Sequence, residues 1–571
     1  MNAQAEYERW LRHEELDPDL RRELFQIEGD EREIEDRFYQ SLTFGTGGLR
    51  GVLGAGTNRM NRYTVRKVTQ SLARFLVRQG DAAMRRGVVI AYDSRRQSSA
   101  FAREAALVLA ANQVKAYLFE GVRPTPELSF AVRHLGAAAG IMITASHNPP
   151  EYNGCKLYGA DGAQLTADAA EVIAAELADV DELAVPLADA EDAAAQGLLE
   201  EIGAAMDEAY AARLRTLAFQ SRENNADYRV VYTPLHGTGS APVQRALLDI
   251  GFRHVTVVPE QERPDADFPT VASPNPEDPA AFALAIETAE KTEADLAMAT
   301  DPDADRVGVA VRDGSGAFVC LTGNQLGALL LDYILSQRAK RQALPGNGAI
   351  VKTIVTSEMG AAIAARYGVE TVETLTGFKH IAEAIRQWEK TGEKTFLFGY
   401  EESCGYLIGD FCRDKDGVQA CMLTAEMAAY YAKQGKSLHQ VLLALYEQVG
   451  FYQEALVSFT WTGREGAKRI QQLMERLRKE PPERVGDAAV TARKDYLPGI
   501  DGLPPADVIK VLLADGSWFA ARPSGTEPKI KFYFGVKGTD AADASERLNR
   551  LKTDVLQFIG MTKGSDLCHA H

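Results

Sequence analysis

One supersecondary pattern returns three times along this chain, and it limits the possible folds more than any single residue does. "GVVIAYD" (87–93) is a short β-rich run, followed by the polar loop "SRRQS", the helical stretch "AFAREAALVLAANQ" and a second strand, "VKAYLFEG". The strand "AAAGIMITA" closes that pass. A second pass runs through "YRVVYTPLHGTGS" (228–240), the helix "APVQRALLDIG", the strand "HVTVV" and "ADLAMATDPDADRVGVAV". A third runs through "AIVKTIVTSEMG", "AAIAARYG", "VETVETLTG", a helix from Phe378, and "KTFLFGYEESCGYLIG". Strands alternating with helices at this spacing predict α/β layers with mixed, largely parallel sheets. Ligands are then expected in the loops at the carboxyl ends of the strands. The tail breaks the pattern: "DGSWFAARPSGTEPKIKFYFGVKG" (515–538) reads as a hairpin, and "ADASERLNRLKTDVLQFI" as a helix behind it. A chain of 571 residues is too long for one core. The expectation is three consecutive α/β domains, 1–218, 219–321 and 322–452, and a C-terminal α+β domain, 453–571, around a central cleft.

Bulk composition removes several function classes. With 46% hydrophobic and 25% charged residues the chain has the balance of an ordinary globular protein. A net charge of −17 argues against nucleic acid as a partner, which needs a basic footprint. The charge is uneven: fourteen acids and no Lys or Arg lie between Asp161 and Ala212, where "TADAAEVIAAELADV" reads as a solvated helix. The six cysteines are scattered without a CxxC pair, so neither a zinc site nor a disulfide framework is indicated. No apolar run approaches the roughly 20 residues of a membrane span, and the N-terminus reads as a charged helix without a signal core. A reduced, cytoplasmic protein without a membrane partner is expected.

Five loops carry more polar chemistry than folding requires. In "GIMITASHNPPEYNGCKLYG" (140–159) a strand ends at Ser146 and His147, with Lys156 close behind. A serine at a strand end is ordinarily a turn residue, but His147 offers proton exchange and Lys156 a positive charge. No GxSxG elbow is present, so acyl transfer is not supported. In "TDPDADRVG" (300–308), Asp301, Asp303 and Asp305 alternate and can point oxygens at one hard cation, which suits Mg²⁺. An EF-hand fails because Arg306 and Arg312 stand where Gly and Glu are needed. "DADRV" also fits an aspartyl-nucleophile pattern. "ARPSGTEPK" (521–529) supplies Arg522, Ser524, Gly525, Thr526 and Lys529, a phosphate clamp or a plain hairpin turn. "GYEESCGY" (399–406), continuing to "RDKDG" (413–417), offers carboxylates and Ser403 to sugar hydroxyls. "FGTGGLRG" (44–51) places Arg50 after a glycine-rich run that serves equally as a flexible loop or a phosphate contact. A phosphorylatable nucleophile, a metal site, a phosphate clamp and a hydroxyl-reading loop together call for phosphoryl transfer on a phosphorylated polyol, sheltered from water.

At this point the chain resembles the α-D-phosphohexomutases, the phosphoglucomutase and phosphomannomutase group. "TASHNP" is similar to that family's phosphoserine loop and "DPDADR" to its metal loop. "TGFKH" and "YEESCG" are similar to its sugar-reading segments and "RPSGTEPK" to its phosphate loop, in the family's order and over nearly the whole chain. The resemblance implies four domains in a heart-shaped arrangement and a phosphoryl group on Ser146. It also implies Mg²⁺ held by that group with Asp301, Asp303 and Asp305, and sugar-phosphate substrates. By the same resemblance His147 and Lys156 assist proton transfer and Arg50 steadies the reacting loop. Arg306, Gly377, Lys379, Glu401, Ser403 and Lys415 then meet the sugar, and Arg522, Ser524, Gly525, Thr526 and Lys529 hold the phosphate that is not reacting. Glucose 1-phosphate and glucose 6-phosphate are the first-choice pair, with glucose 1,6-bisphosphate as activator and intermediate; pentose and mannose phosphates are the alternatives. A monomer or weak homodimer is expected. Two departures stand out. Pro302 and Ala304 replace the glycines of the commoner "DGDGDR", and Tyr400 precedes the glutamates where glycine is usual; both resemble the subgroup of bacterial α-phosphoglucomutases and phosphopentomutase-like members. An aspartyl phosphatase would use Asp303 as nucleophile and leave "RPSGTEPK" without a task. A non-catalytic sugar-phosphate sensor would have lost the nucleophile or a metal ligand, and both are present.

Overall fold

The computed structural model describes residues 2–45, 48–461, 463–524 and 529–561, without the side chains of 463 and 464. Three mixed sheets follow one another along the chain, and a wholly antiparallel sheet closes it. The first sheet has the order 48–52, 152–159, 139–143, 88–92, 116–119, 199–202. Its strands from 139–143 to the 199–202 edge pair in parallel, and 152–159 and 48–52 add antiparallel. The strands "VVIAY" and "AGIMI" are buried at every position, which is why they read as unbroken apolar runs: helices cover both faces.

The second sheet, 318–321, 307–312, 296–300, 229–233, 254–257, is parallel on the 229–233 side and antiparallel from 296–300 outward. The aspartate loop is therefore the link between two antiparallel neighbours, Leu296–Thr300 and Val307–Arg312. The third sheet, 370–374, 348–353, 395–401, 405–407, follows the same rule of parallel centre and antiparallel edge. The fourth runs 451–460, 529–538, 518–523, 509–513, 488–495, 484–485, with the helix Ala541–Phe558 behind it.

The acidic stretch forms the helix Ala167–Ala178, capped by the Thr166 hydroxyl, but also a short strand, Leu199–Ile202, at the sheet edge. Glu200 and Glu201 fit there because an edge strand tolerates charge and is protected by it. Capping boxes start two of the long helices, Asn61 with Thr64 ahead of Arg62–Arg78 and Thr322 with Gln325 ahead of Gly323–Lys340, each cap worth about 1 kcal/mol.

Packing joins the sheets unequally. A single apolar cluster runs from Val89 in the first sheet through Met298 in the second to Val449 after the third. The fourth sheet has its own core around Phe532 and Phe534. It meets the third through a small patch in which Trp518 and Tyr533 cover Ile354, Val355 and Leu375. The buried Lys510 ammonium donates to Ile354 O across that seam at 2.7 Å. The first three sheets thus form one packed body and the fourth is attached more lightly. The five described cysteines are free thiols, and among the described residues no helix is long and apolar enough to cross a membrane.

Candidate active site

Ser146 stands where the strand Ala139–Ile143 gives way to its loop, and its backbone is left-handed, at φ 52°. That conformation costs a non-glycine residue about 1 kcal/mol or more, so the surroundings must impose it. They do so through Arg95. Its guanidinium is fully buried and donates to Ser146 O at 2.5 Å, Pro149 O at 2.8 Å and Tyr152 O at 3.0 Å, and also to Asn148 O. Asp93 balances its charge at 3.4 Å. The Phe268 ring from the second sheet's domain covers it at 5.0 Å. One side chain therefore shapes the whole turn that presents the serine. Read from the sequence, "SRRQS" is a polar loop with no link to the serine turn. An arginine pair directly after a buried parallel strand was the available signal.

The serine hydroxyl is turned toward the aspartate loop. Ser146 Oγ donates to Asp301 Oδ2 at 2.5 Å and lies 3.3 Å from His147 Nδ1. Asp301, Asp303 and Asp305 are all buried, with one oxygen of each within 4.8 Å of the others. Asp303 Oδ2 accepts from Lys156 Nζ at 2.7 Å and Thr125 Oγ1 at 2.8 Å. Asp305 Oδ2 faces Lys415 Nζ at 3.0 Å and Lys156 Nζ at 3.6 Å. Asp303 Oδ1 and Asp305 Oδ1 are buried with no hydrogen-bond partner among the described residues, Asp305 Oδ1 having only Arg306 Nε at 3.8 Å. Orphaned anionic oxygens gathered at one point are what a hard divalent cation satisfies, so these residues fit a metal.

Electrostatics divides the three carboxyls. Desolvation, then the neighbouring Asp303 and Asp305, pushes Asp301 well above the usual carboxylate range. Desolvation acts on Asp303 too, but the Lys156 ammonium outweighs it and holds that carboxyl far below the range. His147 is held well below its ordinary value by loss of solvation, then by Arg306 and Arg50, and so is neutral at neutral pH.

The aspartate loop is held from two sides. Thr125 N donates to Asp303 O at 2.9 Å from the first domain, and Gly417 N donates to Ala304 O at 3.1 Å from the third. Ala304 adopts φ 50°, the left-handed geometry that the family's glycine takes freely. A side chain at 417 would bring its Cβ within 2.6 Å of Ala304 O, which explains the glycine of "RDKDG". That motif is buried from Arg413 to Asp416. Tyr158 and Gln164 donate to Asp414 Oδ2 at 2.8 and 3.0 Å, and Tyr210 to Asp416. These contacts brace the loop, and its Lys415 ammonium sits on Asp305 and Asp414.

The remaining expected residues ring this centre. Arg50 Nη1 donates to Asn148 Oδ1 at 2.9 Å, tying the glycine-rich strand to the serine loop. Arg306 is ion-paired with Glu277. Glu401 accepts from Gly377 N at 2.7 Å, and Ser403 lies half-buried on the turn beyond it. Lys379 opens the helix Phe378–Thr391, and its ammonium is depressed by burial and by Arg522, which reaches over from the fourth sheet. His380 beside it is pushed down to about 4 by burial and by Lys379 and Arg522. Ser524 N donates to Lys529 O at 2.7 Å at the base of the clamp loop; Gly525 and Thr526 lie outside the described residues. Lys531, which sequence reasoning passed over, adds another cation close to His147, Lys529 and Arg306. Tyr400, which stands where glycine is usual, is fully buried, stacked on Phe398 at 5.3 Å and filling the space over Gly327 and Gly360, so it packs the third domain's interior.

Comparison with known proteins gives the same outline. The family described as phosphoglucomutase/phosphomannomutase matches in four parts: alpha/beta/alpha domain I over 41–184, domain II over 208–314, domain III over 322–449 and the C-terminal domain over 467–551. A phosphoglucomutase of Staphylococcus aureus strain MSSA476 is 38% identical over 565 residues, 96% of this chain and 99% of the relative. That of strain MRSA252 is 39% identical over 536 residues, 91% and 94% of the two chains. Among solved structures, the open form of pp63/parafusin, a phosphoglucomutase from Paramecium, superposes with a TM-score of 0.69 at 17% identity, covering 93% of this chain and 98% of that one. A phosphoglucomutase/phosphomannomutase family protein from Burkholderia thailandensis gives 0.65 at 20% identity, with 92% and 99% covered. These two establish likeness of fold.

Proposed function

Because this chain belongs to the phosphoglucomutase/phosphomannomutase family, we propose that it interconverts α-glucose 1-phosphate and glucose 6-phosphate through a phosphorylated Ser146 and a glucose 1,6-bisphosphate intermediate. The observation that carries the reading is the meeting of Ser146 Oγ with Asp301, beside a Lys156–Asp303 pair, at the junction of two domains. Near-full-length relatives named phosphoglucomutase favour glucose over the pentose and mannose alternatives.

In the forward half-reaction the P–O bond at Ser146 Oγ breaks and one to a sugar hydroxyl forms. The hydroxyl proton leaves to a nearby base, and a proton ends on Ser146 Oγ. His147, neutral at working pH and 3.3 Å from Oγ, can shuttle that proton. Lys156 balances the aspartate charge and stands ready for the departing serine oxygen. Asp301 receives the free hydroxyl and keeps it aimed for the return step. Arg95 and Arg50 hold the turn in place. Mg²⁺, held by Asp301, Asp303 and Asp305 with the serine phosphate, supplies charge neutralisation on the phosphoryl oxygens when bound. Glu401 and Ser403, with Gly377, Lys379 and Arg306 around them, read the sugar hydroxyls. Arg522, Ser524, Gly525, Thr526 and Lys529 grip the phosphate that is not reacting. The bisphosphate then turns over and the other phosphate returns to Ser146. The reading takes the enzyme as cytoplasmic, monomeric or weakly dimeric, with domain limits at 218, 321 and 452.

The test is the initial mutase rate with glucose 1-phosphate, ribose 1-phosphate and mannose 1-phosphate in parallel, with Mg²⁺ and a trace of the matching bisphosphate. Glucose 1-phosphate should be the best substrate. A higher kcat/KM for the pentose would overturn the assignment of the sugar while keeping the chemistry at Ser146.

A further inference from the structure

A second opening adjoins the back of the aspartate loop, and none of its lining residues belongs to the site around Ser146. It is a cavity of about 940 Å³ between the helices Ala204–Arg215 and Ser240–Asp249, at the upper end of the size range of small-molecule sites. One wall is the turn "HGTGS", which leaves the carboxyl end of the parallel strand Arg229–Thr233 and opens the second helix. That ten-residue helix has no side-chain cap, and the N–H groups of Ser240 and Ala241 have no acceptor among the described residues. Uncapped amides at a helix start favour an anion.

Independent of the helix, one buried side chain on this cavity lacks a partner: Thr238 is 5% exposed and its Oγ1 meets no hydrogen-bond partner. The nearby Glu127 carboxyl is raised far above the usual range by desolvation and then by its side-chain hydrogen bond to Asp207, so its proton is already placed. The charged groups at the rim are largely spoken for. Asp207 accepts from Arg123 at 2.7 and 2.9 Å and is also hydrogen-bonded to Glu127. Glu208 is held by Arg245 at 2.8 Å and Arg215 at 3.1 Å. Of the two exposed rim charges left, Arg263 has no ion pair among the described residues, and Glu262 beside it has none either. The inner wall thus presents amides and a hydroxyl seeking partners, while Val122, Ala211 and Leu214 offer an apolar surface.

We infer that this cavity binds a small phosphorylated metabolite, with its phosphate on the amides of Ser240 and Ala241 and the Thr238 hydroxyl, and its carbon skeleton along Ala211 and Leu214. Arg263 completes the phosphate's charge balance from the rim. The position has a consequence for the aspartate loop. Thr238 N donates to Pro302 O at 2.8 Å, and Gly237 is so close that a Cβ there would lie 2.4 Å from Pro302 Cα. A ligand that orders this turn restrains the residue between Asp301 and Asp303 as well. This inference stands whether or not the sugar named above is correct.

Hydrogen exchange on the full chain, with glycerol 3-phosphate as the test ligand, decides it. Exchange across 233–249 should slow about tenfold at a ligand concentration ten times Kd, the factor 1 + [L]/Kd. Two single variants, Ala241→Trp to plug the cavity and Arg263→Glu to reverse the rim charge, should each reduce that slowing; both sites are exposed, and an unchanged thermal midpoint shows the fold intact. Absence of slowing over 233–249 up to the solubility limit would overturn the inference. So would slowing that persists undiminished in Ala241→Trp.

Discussion

Replacing Arg95 by methionine tests whether the serine turn is held in place by one buried cation. The guanidinium donates to four carbonyl oxygens between Ser146 and Tyr152. A hydrogen bond to a charged group is worth about 1.5–3 kcal/mol, and the four share one donor group and are not additive. Removing one partner of a buried pair costs about 3–5 kcal/mol. Asp93 softens the loss, because burial already raises its carboxyl and a proton can replace the lost cation. The local destabilisation should therefore lie near the lower end, about 3 kcal/mol. The catalytic effect follows from geometry. Freed of its restraint, Ser146 leaves φ 52° and Oγ drifts from Asp301. A displacement of about 1 Å costs about a hundredfold in rate. In steady-state assays with glucose 1-phosphate, kcat should fall about a hundredfold. KM should change much less, because the residues proposed to grip the phosphate lie on the fourth domain. Arg95→Lys should recover only part of kcat, since one ammonium cannot span the carbonyls that a planar fork reaches. An Arg95→Met enzyme with wild-type kcat, or one whose loss falls wholly on KM, would refute the reasoning.

Other outcomes follow from the same contacts. Ser146→Ala should abolish mutase turnover and leave the thermal midpoint nearly unchanged; a substantial residual rate, or a phosphopeptide mapped to another residue, would count against the nucleophile. Arg522→Ala should raise KM for the sugar phosphate with little change in folding, and an unaltered KM would remove it from the clamp. Glu454, half-buried at the joint of the third and fourth domains beside Asn324, is raised from its ordinary 4.5 to about 7, chiefly by desolvation. Its folded form holds the proton more tightly, so its contribution is full below pH 4.5 and is lost as pH rises through about 7. Glu454→Gln should remove that slope, of order 3 kcal/mol across the window; identical urea midpoints against pH for both proteins would refute it.

The chemistry was easier to read from the sequence than the mechanics. Ser146 and the three aspartates stood out because few residue types can carry phosphate or a hard cation, and they lie in loops that leave strand ends; Lys156 stood out by its charge within the buried strand Tyr152–Gly159. The repeating strand–helix period likewise gave the first three domains, since buried parallel strands must be apolar throughout. What stayed hidden depends on tertiary distance. Arg95 belongs to the site only because the strands 88–92 and 139–143 lie side by side. Lys531 reads as an ordinary polar position of an alternating strand until the fourth sheet is laid against the first. Tyr400 stood out only as a departure from glycine; that it fills the space over Gly327 and Gly360 depends on a helix packing that the sequence does not print. The buried state of "RDKDG" was equally illegible: four charged residues in a row suggest solvent, and only the facing Tyr158, Gln164 and Tyr210 make their burial possible.

The separation of Ser146 from Asp301 in the chain also sets a clock. The two residues that touch at 2.5 Å are 155 positions apart, and the Gly417 amide that steadies their meeting place comes later still. During synthesis a domain folds soon after it emerges, so the serine turn takes shape long before anything stands opposite it. The contacts that close the meeting place of Ser146 and Asp301 are complete only once the third domain has left the ribosome. A chain ending before residue 417 therefore carries the serine turn without the amide that steadies the aspartate loop opposite it.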